Sequence, residues 1–146
     1  MKIVLATDHA GFHHKEALKQ HLMEQGYDVQ DFGTDGEASC DYPDFIFPAA
    51  RAVAADPENI RGIIFGGSGQ GEAMTANRVK GVRATVYYGG NPEIIQLSRT
   101  HNNANILSIG ARFVSEDKMK QVVDRWLQLE FPPEERHMRR IAKIDQ

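Results

Sequence analysis

The sequence has a single cysteine, no long hydrophobic run and no surplus of basic residues, and each absence excludes a class of protein. Because Cys40 has no second cysteine to pair with, an internal disulfide is excluded. No stretch approaches the about 20 apolar residues of a membrane-spanning helix, and the apolar start of the chain is too short for a signal sequence. With 17 basic residues against 20 acidic ones, the chain lacks the basic surplus typical of nucleic-acid-binding proteins. We therefore expect a cytoplasmic protein that binds neither membranes nor nucleic acid.

The six histidines form no metal-binding motif. There is no H-E-x-x-H sequence and no cluster of cysteine and histidine, so we expect no zinc site and no other metal. Three of the histidines fall within the first predicted helix and are expected to face solvent: His13, His14 and His21. His9 and His101 are stronger candidates for a function because each adjoins a polar residue. His9 follows Asp8, although this pair can also be the plain end of a strand.

Short apolar runs alternate with helical patterns along the whole chain, which is typical of an α/β domain. The length of 146 residues suits one domain, residues 1–146. The predicted strands are 2–7, 27–32, 62–65, 82–88 and 106–109, and the predicted helices are 12–25, 41–55, 72–79, 92–100, 115–129 and 134–144. The sequence therefore predicts a single Rossmann-like domain, with a five-stranded, mostly parallel sheet flanked by helices on both faces.

In such a fold, ligands bind beyond the carboxyl ends of the strands. Asp8 and His9 follow the first predicted strand, a glycine-rich loop follows the third, and Arg112 follows the fifth. We expect these residues to lie close together. His101 and Asn102 precede the fifth strand, so this rule does not place them.

The strongest local signal is the glycine loop, residues 66–71, which reads Gly-Gly-Ser-Gly-Gln-Gly. Glycines allow backbone N–H groups to turn inward and bind an anion, and the following helix adds its positive end. A nucleotide P-loop requires Lys-Ser or Lys-Thr after the last glycine, whereas Glu72-Ala73 follows here. The loop also lacks the G-x-G-x-x-G spacing of dinucleotide-binding proteins, so we expect no NAD. A tight strand-to-helix turn without a ligand is the other interpretation.

Glu72 follows the glycine loop and has two interpretations. A carboxylate in the first turn of a helix interacts favourably with the helix dipole, so Glu72 can be a capping acid. It can also be a general base, because Ser68 and Glu72 are four residues apart and can face one pocket. A base beside an anion-binding loop is the minimum required to remove a proton next to a carbonyl group.

The C-terminal segment is locally basic, and two of its arginines share one helix face. Arg136 and Arg140 are four residues apart, and arginine is suited to bidentate contact with phosphate. They can form a phosphate site on a C-terminal helix that reaches a partner subunit. A solvated helix with local ion pairs explains the segment equally well.

Seven segments together resemble the type B ribose-5-phosphate isomerases, whose wider family includes the galactose-6-phosphate isomerase subunits. They are Thr7-Asp8-His9-Ala10-Gly11, Asp41-Tyr42-Pro43, Gly66 to Glu72, Ala76-Asn77, Arg99 to Asn105, Gly110-Ala111-Arg112 and Arg136-His137-Met138-Arg139-Arg140. These segments span nearly the whole chain in the order found in the family. The resemblance is therefore more specific than any single motif.

The resemblance implies a cofactor-free interconversion of ribose 5-phosphate and ribulose 5-phosphate through an enediolate, at a site between two subunits of a homodimer or of a dimer of dimers. Glu72 corresponds to the base that moves a proton between C2 and C1, in the branch of the family that has serine at the catalytic position of Ser68. His101 corresponds to the acid that opens the furanose ring, and Asp8 lies close to the ring oxygen or O1. The substrate-binding residues follow by position: the backbone amides of Gly67, Ser68, Gly69, Gln70 and Gly71 for the enediolate oxygen, His9, Arg136 and Arg140 for phosphate, and Asn102 and Arg112 for the sugar.

Three other functions stay open at this stage. An isomerase of a hexose 6-phosphate, of the allose or galactose type, needs only a larger pocket. A non-catalytic module that binds phosphate or a nucleotide explains the glycine loop without a role for Glu72. A structural dimerisation protein explains the charged C-terminal segment but not the glycine loop.

Overall fold

Five strands form one sheet in the order β2-β1-β3-β5-β4. In the computed structural model, which describes residues 1–146, the strands are β1 (Lys2–Thr7), β2 (Asp28–Asp31), β3 (Ile60–Gly66), β4 (Ala84–Tyr87) and β5 (Ile106–Gly110). Every neighbouring pair is parallel, so the sheet is entirely rather than mostly parallel. The strand ends are in step, since Thr7 pairs with Phe65 and Gly66 pairs with Gly110.

The chain forms six α-helices, of which the first five cover the two faces of the sheet. They are α1 (Phe12–Glu24), α2 (Pro43–Ala55), α3 (Gln70–Ala76), α4 (Glu93–Thr100), α5 (Glu116–Gln128) and α6 (Glu135–Ala142). Local sequence sets several of their ends: Pro43 occupies the first turn of α2, and the Ser115 hydroxyl accepts a hydrogen bond from the backbone N–H of Lys118 at the start of α5. None of the helices is both long and apolar enough to cross a membrane.

Two hydrophobic cores lie on opposite faces of the sheet. The larger core packs α1, α4 and α5 against the strands, and it buries Trp126 completely. The smaller core packs α2 and α3 against the other face, around Val53 and Ile64. Helices on both faces explain why β1, β3 and β5 are almost continuously buried.

The predicted elements all exist, with bounds that differ from those predicted by at most three residues. The helix expected at 72–79 begins at Gln70, because Gly69 has a left-handed φ of 78° and starts the helix earlier. It ends at Ala76, since the backbone then turns toward β4. The strand expected at 82–88 is confined to Ala84–Tyr87, because the backbone N–H of Arg83 donates to a side chain, that of Asn105, at 2.8 Å.

The expectation that the histidines of α1 face solvent holds for only one of them. His13 is exposed, but His14 and His21 are half-buried. The His14 Nε2 lies 2.6 Å from the carbonyl oxygen of Val114, and the His21 Nε2 lies 2.9 Å from the Asp124 carboxylate. The prediction for these two was wrong because α1 packs against α5 and brings them to that interface.

The strand order determines where a ligand can enter. After β1 the chain moves to the β2 side of the sheet, whereas after β3 it moves toward β5 and β4. The two connections leave in opposite directions and open a crevice at the carboxyl ends of β1 and β3. The connections after these two strands therefore line the expected binding site.

Candidate active site

A pocket of about 330 Å³ lies at this crevice. Its walls are Asp8, His9, Ala10, Tyr42, Gly67, Ser68, Gly71, Glu72 and Arg112. A larger groove of about 580 Å³ follows the surface of α1, but its walls come from that helix alone. The crevice pocket is the candidate active site because it joins four separate parts of the chain and gathers ionisable groups.

Asp8 is buried at the end of β1, and its carboxylate is held in place by the backbone. Its Oδ1 accepts hydrogen bonds from the N–H groups of Ala10 at 2.8 Å and Gly11 at 3.3 Å. This carboxylate caps the 3₁₀ turn His9–Gly11. The 3₁₀ turn therefore fixes the position of an acidic group in the wall of the pocket.

Glu72 lies in the first turn of α3, and its side chain is buried, with only 4% of the residue exposed. Burial raises the pKa of the Glu72 carboxyl from 4.5 to about 7, and the nearby Asp8 carboxylate adds to this rise, against the lowering effect of the Glu72 backbone N–H. A carboxyl that titrates near neutral pH has the proton affinity required of a general base.

The Glu72 side chain lies directly against the backbone of Gly66. A Cβ atom at position 66 would overlap the Glu72 carboxylate. Gly66 is the last residue of β3, so the strand end and the first turn of α3 hold the carboxylate between them. The absence of a side chain at this one glycine is therefore what leaves room for the carboxylate.

The loop between β3 and α3 presents several backbone N–H groups that no other backbone group uses. The N–H groups of Gly67, Ser68, Gly69 and Gly71 donate to no backbone carbonyl. The carbonyl of Gly69 accepts a hydrogen bond from the Ser108 hydroxyl at 2.7 Å, which anchors the loop to β5. The loop is therefore a fixed row of free donors beside Glu72, suited to an anionic oxygen.

Two further residues of the pocket, Arg112 and His9, are held by backbone contacts. The N–H of Arg112 donates to the Gly67 carbonyl at 3.1 Å, and its guanidinium lies over Gly67. The Nδ1 of His9 accepts a hydrogen bond from the N–H of Cys40 at 3.4 Å. A neutral His9 therefore carries its proton on Nε2, which leaves a donor for a ligand.

Tyr42 lines the pocket although the sequence does not identify it as a site residue. Its ring packs on the glycine loop, since a Cβ at Gly71 would come within 2.7 Å of the ring. The segment Asp41-Tyr42-Pro43 predicts the start of a helix and carries part of the family resemblance. Nothing in that pattern indicated that the ring before α2 reaches the start of α3.

The other candidate residues do not line this pocket. His101 and Asn102 lie between α4 and β5, at the amino ends of the strands, whereas the pocket lies at the carboxyl ends. Because β5 has five residues and a strand rises by about 3.3 Å per residue, the amino and carboxyl edges of the sheet are about 16 Å apart. His101 stacks on His137 of α6, which also carries Arg136 and Arg140.

Gly69 and Gln70 of the glycine loop are not among the walls of the pocket. The Gln70 side chain is exposed, and its backbone N–H lies 3.3 Å from the Ser68 hydroxyl. No three His, Cys, Asp or Glu side chains converge in a way that could hold a metal ion. One chain therefore holds a buried carboxyl and free N–H groups at one edge of the sheet, and His101 with two arginines at the other.

Known proteins are similar to this chain in sequence and in fold over nearly its full length. The family model that matches residues 3–144 is described as ribose/galactose isomerase. Ribose-5-phosphate isomerase B of Mycolicibacterium paratuberculosis is 38% identical over 142 residues, which are 97% of this chain and 87% of that protein.

The structure of Clostridium thermocellum ribose-5-phosphate isomerase B matches with a TM-score of 0.92 and 43% identity, and covers 99% of this chain and 95% of that one. The structure of Mycoplasma genitalium ribose-5-phosphate isomerase B with bound ribulose-5-phosphate matches with a TM-score of 0.91 and 38% identity, and covers 98% of this chain and 93% of that one. Because the family model and these relatives cover almost every residue, the chain belongs to the ribose/galactose isomerase family.

Proposed function

We propose that this chain interconverts ribose 5-phosphate and ribulose 5-phosphate through an enediolate, with Glu72 as the base. The observation that carries the proposal is a buried carboxyl with a pKa of about 7 beside a loop of free N–H groups. The relatives support the choice of substrate, since they are named ribose-5-phosphate isomerase B and one of them has ribulose 5-phosphate bound.

The reaction begins with the opening of the furanose ring. His101 donates a proton to the ring oxygen while Asp8 accepts the proton of the O1 hydroxyl, and the C1–O bond to the ring oxygen breaks. The product is an open-chain aldehyde with its carbonyl at C1. This step requires an acid and a base on the two sides of one ring, which is the pairing expected in general acid–base catalysis.

Glu72 then moves the proton between two carbons. Its carboxylate takes the proton from C2, the electron pair forms the C1–C2 double bond, and negative charge develops on O1. The N–H groups of Gly67 to Gly71 hold this oxygen. Ser68 shuttles the hydroxyl proton from O2 to O1, and Glu72 returns its proton to C1, which leaves a ketone at C2. No cofactor is required in this scheme because backbone amides hold the charge.

Two copies of the chain are needed to complete the site. His101, Asn102, Arg136 and Arg140 lie at the opposite edge of the sheet from Glu72, so we propose that a second copy supplies them. In a twofold symmetric dimer each subunit gives its glycine pocket to one site and its α6 residues to the other. His9 of one subunit and the two arginines of its partner then bind the phosphate.

Replacing Arg136 or Arg140 with alanine is expected chiefly to raise the KM for ribose 5-phosphate. Loss of one charged hydrogen bond to phosphate weakens binding by about 1.5–3 kcal/mol, or about 10- to 100-fold. Arg139→Ala is the matched control, because this guanidinium lies on the same helix but pairs with Glu135 at 2.6 Å. Steady-state kinetics measures the effect, and an unaltered KM in both variants would contradict the phosphate site.

Replacing Gly66 with alanine is expected to lower turnover of ribose 5-phosphate about 100-fold, because the new methyl group displaces the Glu72 carboxylate and misplacement by about 1 Å has that effect. Gly36→Ala is the control, since a Cβ at Gly36 meets nothing within 4 Å. Thermal unfolding should show that both variants are folded. A folded Gly66→Ala variant with normal turnover would show that the position of the carboxylate does not matter.

The proposed function is tested by initial rates on ribose 5-phosphate and allose 6-phosphate with a chelator present. We expect turnover of ribose 5-phosphate that survives chelation. A strong preference for allose 6-phosphate would favour the hexose isomerase, and loss of activity with chelator would overturn the cofactor-free scheme. Binding of ribose 5-phosphate without turnover would favour a non-catalytic phosphate-binding module.

A further inference from the structure

The ring of His137 is buried under His101 and makes no hydrogen bond. His137 lies on α6 with 6% of the residue exposed, and the two imidazole rings are stacked, with centroids 4.5 Å apart and an angle of 17° between the planes. The buried Nε2 of His137 has no hydrogen-bond partner, and the Glu134 carboxylate lies 3.7 Å away. The directed contact of this ring is therefore its stack with His101.

A buried imidazole without a hydrogen bond is unfavourable for stability. Nearly all buried polar groups have a partner, and an apolar side chain of the same volume avoids the loss of hydration. The contribution of His137 to folding therefore does not explain why a histidine is buried at this position. The flat face that its ring presents to His101 does explain it.

His101 has little else to hold its ring. It is exposed, it follows the last turn of α4, and no hydrogen bond to its side chain is formed within the chain. A side chain that must donate a proton to one atom of a sugar needs a fixed orientation, since loss of alignment lowers the rate. A parallel ring beneath it restricts rotation of the imidazole about its side-chain bonds.

We infer that His137 is a positioning residue, which fixes the plane of the His101 ring for the opening of the furanose. The inference rests on the proposed function, in which His101 is the acid of that step. His137 itself touches neither the sugar nor the reacting atoms in this assignment.

The charge state of His137 suits this role. Burial lowers the pKa of His137, and the neighbouring Arg136 and His101 lower it further. A lowered pKa favours the neutral form of the His137 ring, which presents its aromatic face to His101. A cation over such a face is attracted to it, whereas two stacked cations repel each other.

Two variants test the inference, because both fill the buried volume without a polar atom. His137→Leu removes the flat face, whereas His137→Phe keeps it. We expect His137→Leu to lower kcat for ribose 5-phosphate about tenfold, through loss of alignment at His101. We expect His137→Phe to keep kcat near the wild-type value. Met138→Leu on the exposed side of α6 is the control.

A second measurement separates positioning from binding. As a probe, 4-phospho-D-erythronate is an acyclic sugar acid phosphate that resembles the enediolate and has no ring to open, so any inhibition constant should be the same in wild type and His137→Leu. An inhibition constant that rises in step with the loss of kcat would assign His137 to phosphate binding and overturn the inference. Equal losses of kcat in His137→Leu and His137→Phe, or no loss in either, would also overturn it. A wild-type protein without activity on ribose 5-phosphate would instead overturn the proposed function.

A spectroscopic measurement follows the stack itself without any substrate. The ring current of His137 should shift the Cε1 proton resonance of His101 upfield in wild type. We expect this shift to disappear in His137→Leu and to persist in His137→Phe. An unchanged His101 resonance in His137→Leu would contradict the stack in solution, whether or not the variant has lost activity.

Discussion

Replacing Glu72 with glutamine is expected to lower kcat for ribose 5-phosphate about 100- to 10,000-fold, the range of effects of general base removal. Glutamine keeps the shape of the side chain but has no site for the proton from C2. The inhibition constant of 4-phospho-D-erythronate should change little. Glu116→Gln is the matched control, since Glu116 also lies in the first turn of a helix but is exposed. Turnover near the wild-type value in Glu72→Gln would end the assignment of Glu72 as base.

The same carboxyl makes activity and stability respond to pH in opposite directions. Because the base must be ionised, kcat/KM should rise with pH through about 7, the pKa of Glu72 in the folded protein. The unfolded carboxyl titrates near 4.5, so between 4.5 and 7 the folded state binds more protons and stability falls as pH rises. Above pH 7 this loss is complete. Glu72→Gln should therefore be more stable than wild type at pH 8, by about 1–3 kcal/mol, and equally stable at pH 4.

The sequence predicts the alternation of strands and helices because each element is long and its apolar residues recur with one period. It also predicts the position of the glycine loop, since a strand followed directly by glycines ends at a known edge of a parallel sheet. Asp8, the glycine loop and Arg112 are separate in the chain, yet they line one pocket because each follows the carboxyl end of a strand. This topological rule is the reason that half of the site can be predicted.

The remaining properties of the site depend on packing between distant segments. The pKa of Glu72 is set by burial against Gly66 and by the Asp8 carboxylate, and neither contact follows from the residue type. Tyr42 reaches Gly71 only because α2 and α3 pack side by side. The stack of His101 on His137 joins residues that are 36 positions apart in the chain. It lies at the amino ends of the strands, whereas the topological rule predicts ligand sites only at the carboxyl ends.

The location of His101 determines what a mixture of two inactive variants should do. Glu72→Gln removes the base from the glycine pocket, and His101→Asn removes the acid from the opposite edge. If each site combines the pocket of one subunit with the opposite edge of its partner, a heterodimer of the two variants has one site with both defects and one site with none. Each variant alone has a defect in every site.

Unfolding and refolding the two variants together at equal concentration should therefore restore activity. Random pairing makes half of the dimers heterodimers, each with one intact site of two, so the mixture should reach about a quarter of wild-type activity. Glu72→Gln refolded with itself stays inactive and is the control for the procedure. A second control is a mixture of Glu72→Gln and Gly66→Ala, whose defects lie in the same pocket and cannot be separated by pairing. If each active site were instead built from a single chain, the first mixture would stay as inactive as its components, and His101 would have to act from an edge of the sheet that its own pocket does not reach.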